Sequence, residues 1–471
     1  MSVSDGLDVA RRALAGGDAW LVGGAVRDRL LGAPPSTDLD VVVDGDPRAA
    51  AEAVAREAGR GAARFALSEA FGAWRVVGPG HAWQVDLTQL HGGGLDEDLR
   101  RRDLTINAIA QPLAGGELVD PTGGQDDLRA GVVRAVSDQV FADDPLRCLR
   151  VVRFAVWFDM AIDPATAELA RRDAGGLDAV AGERAFAELR GLLASQRPRS
   201  GIELAHDLGV LAMVLPELVA TRGVEQNRFH NTDVWTHTLD VLDAVVEIGA
   251  APGESVGQAH ANAVRDLLAE PLADEVDRGM ALRWGALLHD IAKPQTRTPA
   301  PGGGTLGFPG HDVEGERAAR EILRRLRASE RLQGHVAALA RHHLKLGFLV
   351  HHQPVARRTL HRYLVATEPV EADVTLLSVA DRLATRGDNA EEATARHLEL
   401  ATTILDEALR WRAGETRPAP LVRGDELAVE LGIERGPEIG RLLAELAEAQ
   451  FAGEIATRAD AIAAARTALH A

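Results

Sequence analysis

The chain has 471 residues, with 52 basic against 70 acidic side chains and a formal net charge of −18. That length predicts roughly three domains, and the 46% apolar content excludes a disordered chain. One cysteine, Cys148, excludes an internal disulfide framework, no run of about 20 apolar residues spans a bilayer, and the acidic balance argues against nonspecific coating of nucleic acid.

Met1-Ser2-Val3-Ser4-Asp5 has no charged segment followed by an apolar one, so no signal peptide is expected and the cytoplasm is the expected location. Trp20-Leu21-Val22 predicts a short strand, stopped by Gly23-Gly24. Residues 25–31 predict a helix, ended by Gly32 and Pro34-Pro35. Residues 38–43 alternate and then run β-branched, which predicts a strand. Two more strands are expected at 72–77 and 83–87, and a helix opening at 104–110. From about residue 143 the pattern is helical almost throughout, with Arg147, Arg150 and Arg153 three apart on one face. Pro- and Gly-rich breaks fall at 197–200, 251–254, 299–304 and 414–420. The first and last are expected as domain-scale boundaries, the middle two as loops.

Asp38 and Asp40 carry the first chemistry. Side chains two apart on a strand share a face, about 6 to 7 Å apart. Two carboxylates so placed repel unless a cation lies between them, and magnesium suits them because it shares its oxygen sites with substrate phosphates. Upstream, the Gly23-Gly24 turn opens a helix, where backbone N–H groups approach phosphate closely. Strand, diglycine turn, helix and carboxylate-bearing strand is a layout suited to nucleotide transfer. On its own, the Asp-x-Asp pair reads equally as a polar strand end.

In context it resembles the opening motif of class II tRNA nucleotidyltransferases and bacterial poly(A) polymerases, carried by Leu21-Val22-Gly23-Gly24-Ala25-Val26-Arg27-Asp28 and Asp38-Leu39-Asp40. Arg101-Arg102-Asp103-Leu104-Thr105-Ile106-Asn107-Ala108 resembles the second motif. Asp120-Pro121-Thr122-Gly123-Gly124 to Asp127-Leu128 resembles the third. Asp143-Asp144-Pro145-Leu146-Arg147, with Arg150 and Arg153, resembles the fourth. Glu183-Arg184 with Glu188-Leu189 resembles a fifth.

The resemblance implies that Asp38 and Asp40 hold Mg2+ and activate an RNA 3′-hydroxyl. It implies a nucleotide site made of Gly23, Gly24, Arg27, Asp28, Arg101, Arg102, Asp103, Asn107, Asp144, Arg147, Arg150 and Arg153. Gly24 and Arg27 would meet the triphosphate, while Asp144 and Arg147 would pair with the base edge. A carboxylate accepts from an exocyclic amine, and a guanidinium donates to a ring acceptor. Cytosine and adenine offer that pattern; uracil and guanine do not. Two departures stand out. Asp143 replaces the usual Glu, which shortens one side chain. Only residues 88–97 separate Val85-Asp86-Leu87 from the second motif, where relatives that add a complete CCA end carry a longer flexible loop. Addition of C and A, or of C alone, is expected, and a short loop is a feature of relatives that add only the two cytidines.

A second constellation lies in the helical half. His237, then His289-Asp290, then Asp381 resembles the HD superfamily of metal-dependent phosphohydrolases. The resemblance implies a primary metal shell of His237, His289, Asp290 and Asp381, with His311 and His342 completing a second metal or assisting catalysis; His343 is the alternative to His342. Imidazole and carboxylate ligands together suit Mn, Ni, Fe or Zn, or Mg less well. His230, His351 and His352 are assigned no role.

The expected architecture is α+β: a small N-terminal mixed β-sheet head with a polymerase-β-like palm, followed by an all-helical neck, HD domain and tail. The expected bounds are 1–135, 136–225, 226–412 and 413–471. Leu427, Leu431, Ile439, Leu442, Leu443 and Leu446 predict two packed helices in the tail. Expected partners are tRNA, CTP and ATP, with no membrane. Arg100 to Arg102, Arg147 to Arg153, Arg171-Arg172 and Arg357-Arg358 are expected to line a local basic groove. The alternatives are a poly(A) polymerase and, from another class, an RNA- or nucleotide-binding regulator.

Overall fold

The computed structural model describes residues 5–68, 72–226, 231–298, 307–385 and 390–469. His230 and the 299–304 break lie outside them. The chain forms two compact units, Met1–Val214 and Leu215–Ala471.

The first unit is built on a six-stranded mixed sheet of order β3-β4-β5-β2-β1-β6. Its strands are β1 (Ala19–Val22), β2 (Asp38–Val43), β3 (Ala63–Ser68), β4 (Ala73–Val77), β5 (Gln84–Gln89) and β6 (Ala110–Pro112). β2 runs parallel to β5 with Asp40 opposite Asp86, and antiparallel to β1 with Asp40 opposite Val22. Helix α2 (Gly24–Leu30) follows β1, and helices α1 (Asp5–Ala13) and α3 (Pro47–Ala58) pack together and against β4 and β5. On β2, Leu39 and Val41 are buried while Asp38 and Asp40 face outward. The alternation of the sequence therefore delivers both carboxylates to one open face.

That face is not open along its whole length. Val22 and Val42 pack with Leu99, Ala108 and Ala110 in one apolar cluster. Leu99 belongs to helix α4 (Leu95–Arg100), so this packing brings the Arg101–Asp103 segment beside the carboxylates. Residues 104–110 are not the expected helix. They form a 3-10 turn, Thr105–Asn107, and then enter β6. The Thr105 N–H donates to the Arg134 carbonyl, and Asn107 turns its side chain to Asp103 and Arg27, so tertiary partners displace the helical ones. The 120–128 motif is architectural. Asp120 accepts from the N–H groups of Gly124 and Gln125, both at 2.8 Å, and caps helix α5 (Gly124–Ala130). Asp127 takes the Thr105 hydroxyl at 2.6 Å.

Helices Arg147–Phe158 and Gly182–Leu193 pack together after the sheet. The break at 197–200 is no domain-scale boundary. Pro198 occupies the first turn of helix Pro198–Asp207, where its missing N–H costs nothing, and the first unit continues to Val214.

Among its described residues the second unit is helical apart from one short hairpin and an isolated bridge between Thr298 and Gly307. Helices Val234–Ala250, Arg278–Leu288, His311–Arg325, Glu330–His342 and Glu371–Ala384 pack around one another. Beyond the Pro-rich 414–420 stretch, three helices pack where two were expected: Gly424–Leu431, Pro437–Ala452 and Arg458–Leu469. Their core holds Leu427, Ile439, Leu442 and Leu446, with Leu431 and Leu443 partly buried against it. The third helix contributes small residues, Ala461 and Ala465, which carry little apolar signal in sequence. Among the described residues, no helix is long and apolar enough to cross a membrane.

Candidate active site and candidate metal centre

In the first unit, β1 ends at Gly23, whose φ of 69° and ψ of −134° only glycine adopts at low cost. A Cβ there would stand 3.4 Å from both Arg102 Nη1 and Asp40 Oδ2. The turn therefore sits directly between an arginine of the second motif and a carboxylate of the first. Crowding by surrounding protein raises the Asp40 pKa, and the charges of Asp38 and Asp86 add to this against the pull of Arg102. Asp40 reaches solvent on its open side, so a cation has access to it. Surplus negative charge on paired hard oxygens fits a magnesium ion. Asp86, absent from the sequence-based candidates, stands across from Asp40 and is held by a two-pronged pair with Arg75, at 2.7 and 2.6 Å. Its signal in sequence is a lone Asp in a short strand, which says nothing about register.

Arg27 is buried. Its Nε donates to Asp28 at 2.8 Å, its Nη1 to Asn107 at 2.6 Å, and its guanidinium lies 4.9 and 4.5 Å from the ring centroids of Phe154 and Phe158. Burial lowers its pKa. These contacts join the diglycine helix to the Arg147–Phe158 helix. Asn107 passes the link on to Asp103 at 3.0 Å, and Asp103 takes Arg150 Nε at 2.8 Å. Burial works against the Asp103 charge, but Arg150, Asn107 and the Leu104 N–H outweigh it and hold the carboxyl below its ordinary range.

Arg102, Asp103, Asp144, Arg147, Arg150 and Arg184 line one cavity of about 260 Å³. The structure thus brings residues from the second, fourth and fifth motifs to a single pocket. Arg147 is anchored by the main-chain carbonyls of Arg101, at 3.2 Å, and Val140, at 3.3 Å. Arg153 donates to Glu188 at 2.6 Å. Arg184, missing from the candidates, donates to Asp144 at 2.7 Å. Other basic residues expected to line a groove are neutralised by acidic neighbours. Arg171 pairs with Glu168, Arg172 with Asp173, Arg357 with Glu407 and Arg358 with Glu454.

In the second unit, two triads of candidate ligands meet: His237, His289 and Asp381, and Asp290, His311 and His343. Within each triad the ligand atoms lie within 4.8 Å of one another. His343, not His342, stands in the cluster. On a helix, adjacent residues point about 100° apart, so only one of the pair can face the centre. Three rings are set by main-chain carbonyls. His289 Nδ1 faces Ala286 O at 2.8 Å, His311 Nδ1 faces Phe308 O at 2.7 Å, and His343 Nδ1 faces Ala340 O at 2.7 Å. A carbonyl only accepts, so each Nδ1 carries the proton and each Nε2 turns a lone pair inward.

Those lone pairs confront each other and a carboxylate. His311 Nε2 is 3.3 Å from His343 Nε2, and His289 Nε2 is 3.1 Å from Asp290 Oδ2. His289 Nε2 and Asp290 Oδ1 are buried without a hydrogen-bond partner. Acceptors facing acceptors in a dry site require a cation, so the donor set fits a divalent metal. Burial disfavours charge on His289, but Asp290 and Asp381 outweigh it and raise its pKa. Burial pushes His343 down to about 4, which keeps it neutral and able to ligate. Lys293 is a further member of this site. Its Nζ is 2.6 Å from Asp290 Oδ2 and 2.7 Å from Gln226 Oε1. It lies one helical turn after the His289-Asp290 pair, a spacing visible in the sequence.

Family models match the segments that carry both constellations. The poly(A) polymerase head domain matches residues 19–134, the probable RNA- and SrmB-binding site of polymerase A matches 159–221, and the HD domain matches 234–386. An A-adding tRNA nucleotidyltransferase of Deinococcus radiodurans is 37% identical, covering 94% of each chain. A CC-adding tRNA nucleotidyltransferase of Thermus thermophilus is 34% identical, covering 94% of this chain and 92% of its own. The Thermotoga maritima CCA-adding enzyme complexed with tRNA shares the fold, with a TM-score of 0.62 at 20% identity over 100% of this chain and 99% of its own. Fold and comparisons define a nucleotidyltransferase whose head is followed by an HD domain. The chain belongs to the tRNA nucleotidyltransferase family, in the group built on the poly(A) polymerase head.

Proposed function

We propose that the chain transfers cytidylate from CTP to the 3′-end of tRNA and stops after two cytidines. The reading rests on one juxtaposition. Arg102 stands near Asp40 across the Gly23 turn and also lines the pocket that holds Asp144 and Arg147. A triphosphate at the carboxylates and a base in the pocket are then one molecule. Asp38 and Asp40 hold magnesium, which when bound stabilises charge on the pyrophosphate and lowers the pKa of the attacking hydroxyl. Gly23 and Gly24 let the backbone approach the phosphates, and Arg102 offsets their charge. Asp144 accepts from the cytosine amine while Arg147 donates to the ring nitrogen and carbonyl. Arg27 and Asn107 keep the diglycine helix in register with the pocket.

The stop after two cytidines rests on the connection from β5 to α4. Residues 90–94 are tied to α4 itself: the Gly93 N–H donates to Glu97 at 2.7 Å and the His91 N–H to Asp98 at 3.2 Å. A connection so short and so pinned has no length with which to reshape the pocket from cytosine to adenine. Adenine carries the same amine-and-acceptor edge, so the pocket chemistry alone does not reject ATP.

The test is nucleotide-resolution extension of tRNA transcripts ending before the CCA, after one C and after two, with CTP, ATP or both. Two cytidines and no adenosine are expected. A complete CCA end, addition of A alone to a CC end, or a long A ladder each overturns the reading, the last in favour of a poly(A) polymerase.

The HD centre is proposed to bind a divalent transition metal and to hydrolyse terminal or 2′,3′-cyclic phosphates on RNA ends. Its support is the inward-facing set of Nε2 atoms around Asp290. With Mn2+ or Ni2+ added, 2′,3′-cyclic AMP is expected to be hydrolysed, and His289→Ala is expected to lose both this activity and bound metal. Metal retained with no hydrolysis of any phosphate ester would leave a structural metal only.

A further inference from the structure

The Gly182–Leu193 helix sends two side chains, four residues apart and therefore on one face, toward the residues that read the nucleotide. Glu188 is buried. It holds Arg153 at 2.6 Å and lies 3.6 Å from Arg150. Arg184 is half exposed, and its Nη2 donates to Asp144 Oδ2 at 2.7 Å. The helix thus sets a carboxylate against Arg150 and Arg153 and a guanidinium against Asp144, while Arg147 is held by main-chain carbonyls.

Asp144 needs such a partner. It sits between two helices in extended conformation, φ −149° and ψ 97°, so no helical turn fixes its side chain. Its Oδ1 accepts a long bond, 3.3 Å, from the Leu146 N–H. The terminal torsion of an aspartate is broad and two-fold, so one long bond does not set the carboxylate plane. A second, charge-assisted bond to the other oxygen does. Arg184 is too exposed for this pair to contribute much stability. It nonetheless lines the same cavity as Arg102, Arg147 and Arg150.

We infer that Arg184 is a specificity-determining positioning residue. It fixes the plane of the Asp144 carboxylate, so that one oxygen lies where an exocyclic amine is accepted and a uracil carbonyl is repelled. The inference rests on the reading of Asp144 as the base reader.

The test compares kcat/KM for CTP and UTP on tRNA lacking its CCA end, using the full chain. The variants are Arg184→Ala, Arg184→Lys, Asp144→Ala and the double Arg184→Ala/Asp144→Ala. Arg184→Ala is expected to lower the CTP:UTP ratio about tenfold, the order expected from one lost charge-assisted hydrogen bond, with an unchanged melting temperature. Arg184→Lys restores one charged donor without the planar fork and is expected to return the ratio to within about threefold of the starting enzyme. In the Asp144→Ala background, removing Arg184 is expected to change the ratio less than about twofold. Equal losses on CTP and UTP would mean that Arg184 binds the triphosphate, and would overturn the inference. A collapse of the ratio in Asp144→Ala but not in Arg184→Ala overturns this inference alone. An unchanged ratio in Asp144→Ala overturns the base-reading assignment, and this inference with it.

Discussion

Asp373 lies in the second unit with no exposed surface, ion-paired to Arg278 and 3.5 Å from His335 Nε2. Burial raises its pKa, but the neighbouring His335 and the charge of Arg278 outweigh this and bring it to about 2. An unperturbed aspartate titrates near about 3.9. A carboxyl with a depressed folded pKa contributes stability that is complete above the unfolded value and is lost as pH falls through the folded one. The contribution is about 2 kcal/mol and disappears between about pH 4 and pH 2. Denaturant titrations across that window are expected to show this loss. Asp373→Asn is expected to flatten the profile, and to lower stability near neutrality by about 3 kcal/mol because buried Arg278 is left with only the Pro369 carbonyl and Glu270 at 3.9 Å. An unchanged acid limb in the variant would remove Asp373 from the account.

At the scale of an element, the turn after β1 decides the transferase site. Gly23 is asked for a backbone conformation that costs other residues about 1–3 kcal/mol. A methyl group there would also press on Arg102 and Asp40. Gly23→Ala is therefore expected to lower the melting temperature modestly and single-turnover nucleotidyl transfer more than about tenfold, through misplaced Arg102 and Asp40. A variant that transfers at the original rate would show that the turn serves folding only. The same scale explains the failed expectation at 104–110. Leu104, Ile106 and Ile109 are all fully buried in an irregular segment, because buried apolar groups satisfy either path and the hydrogen-bond partners choose between them.

At the scale of the whole molecule, a net charge of −18 coexists with a pocket lined by four arginines and two aspartates. Several other arginines, among them Arg171, Arg172 and Arg358, are already paired with carboxylates. Of the pocket arginines, Arg102, Arg150 and Arg184 are paired as well, with Asp98, Asp103 and Asp144, so affinity for nucleic acid is expected to rest on few cations. Binding to tRNA is expected to fall linearly in log–log form between about 50 and 200 mM salt, with a slope set by those few phosphate contacts. A binding constant independent of salt would contradict it. The two candidate centres sit in different compact units, the first within Met1–Val214 and the second within Leu215–Ala471. His289→Ala is accordingly expected to leave the rate of nucleotide addition within about twofold, because its ligand cluster belongs wholly to the second unit.

The sequence alone determined the chemistry that short-range pattern encodes. Alternation along residues 38–43 delivers Asp38 and Asp40 to one face, Gly23-Gly24 ends a strand, and the ordered motifs identify the family. Only the tertiary structure decided what depends on register, on helix facing and on long-range contact. Asp86 comes beside Asp40 because β5 pairs parallel to β2, a register that no local signal specifies. His343 rather than His342 faces the centre because adjacent residues at a helix end point about 100° apart, and only packing decides which one turns inward. Arg184 meets Asp144 across 40 positions of chain, and Asp120 proves to be a helix cap. Local backbone preference acts over a few residues, whereas a pocket is assembled from side chains whose separation in sequence carries no information about their separation in space.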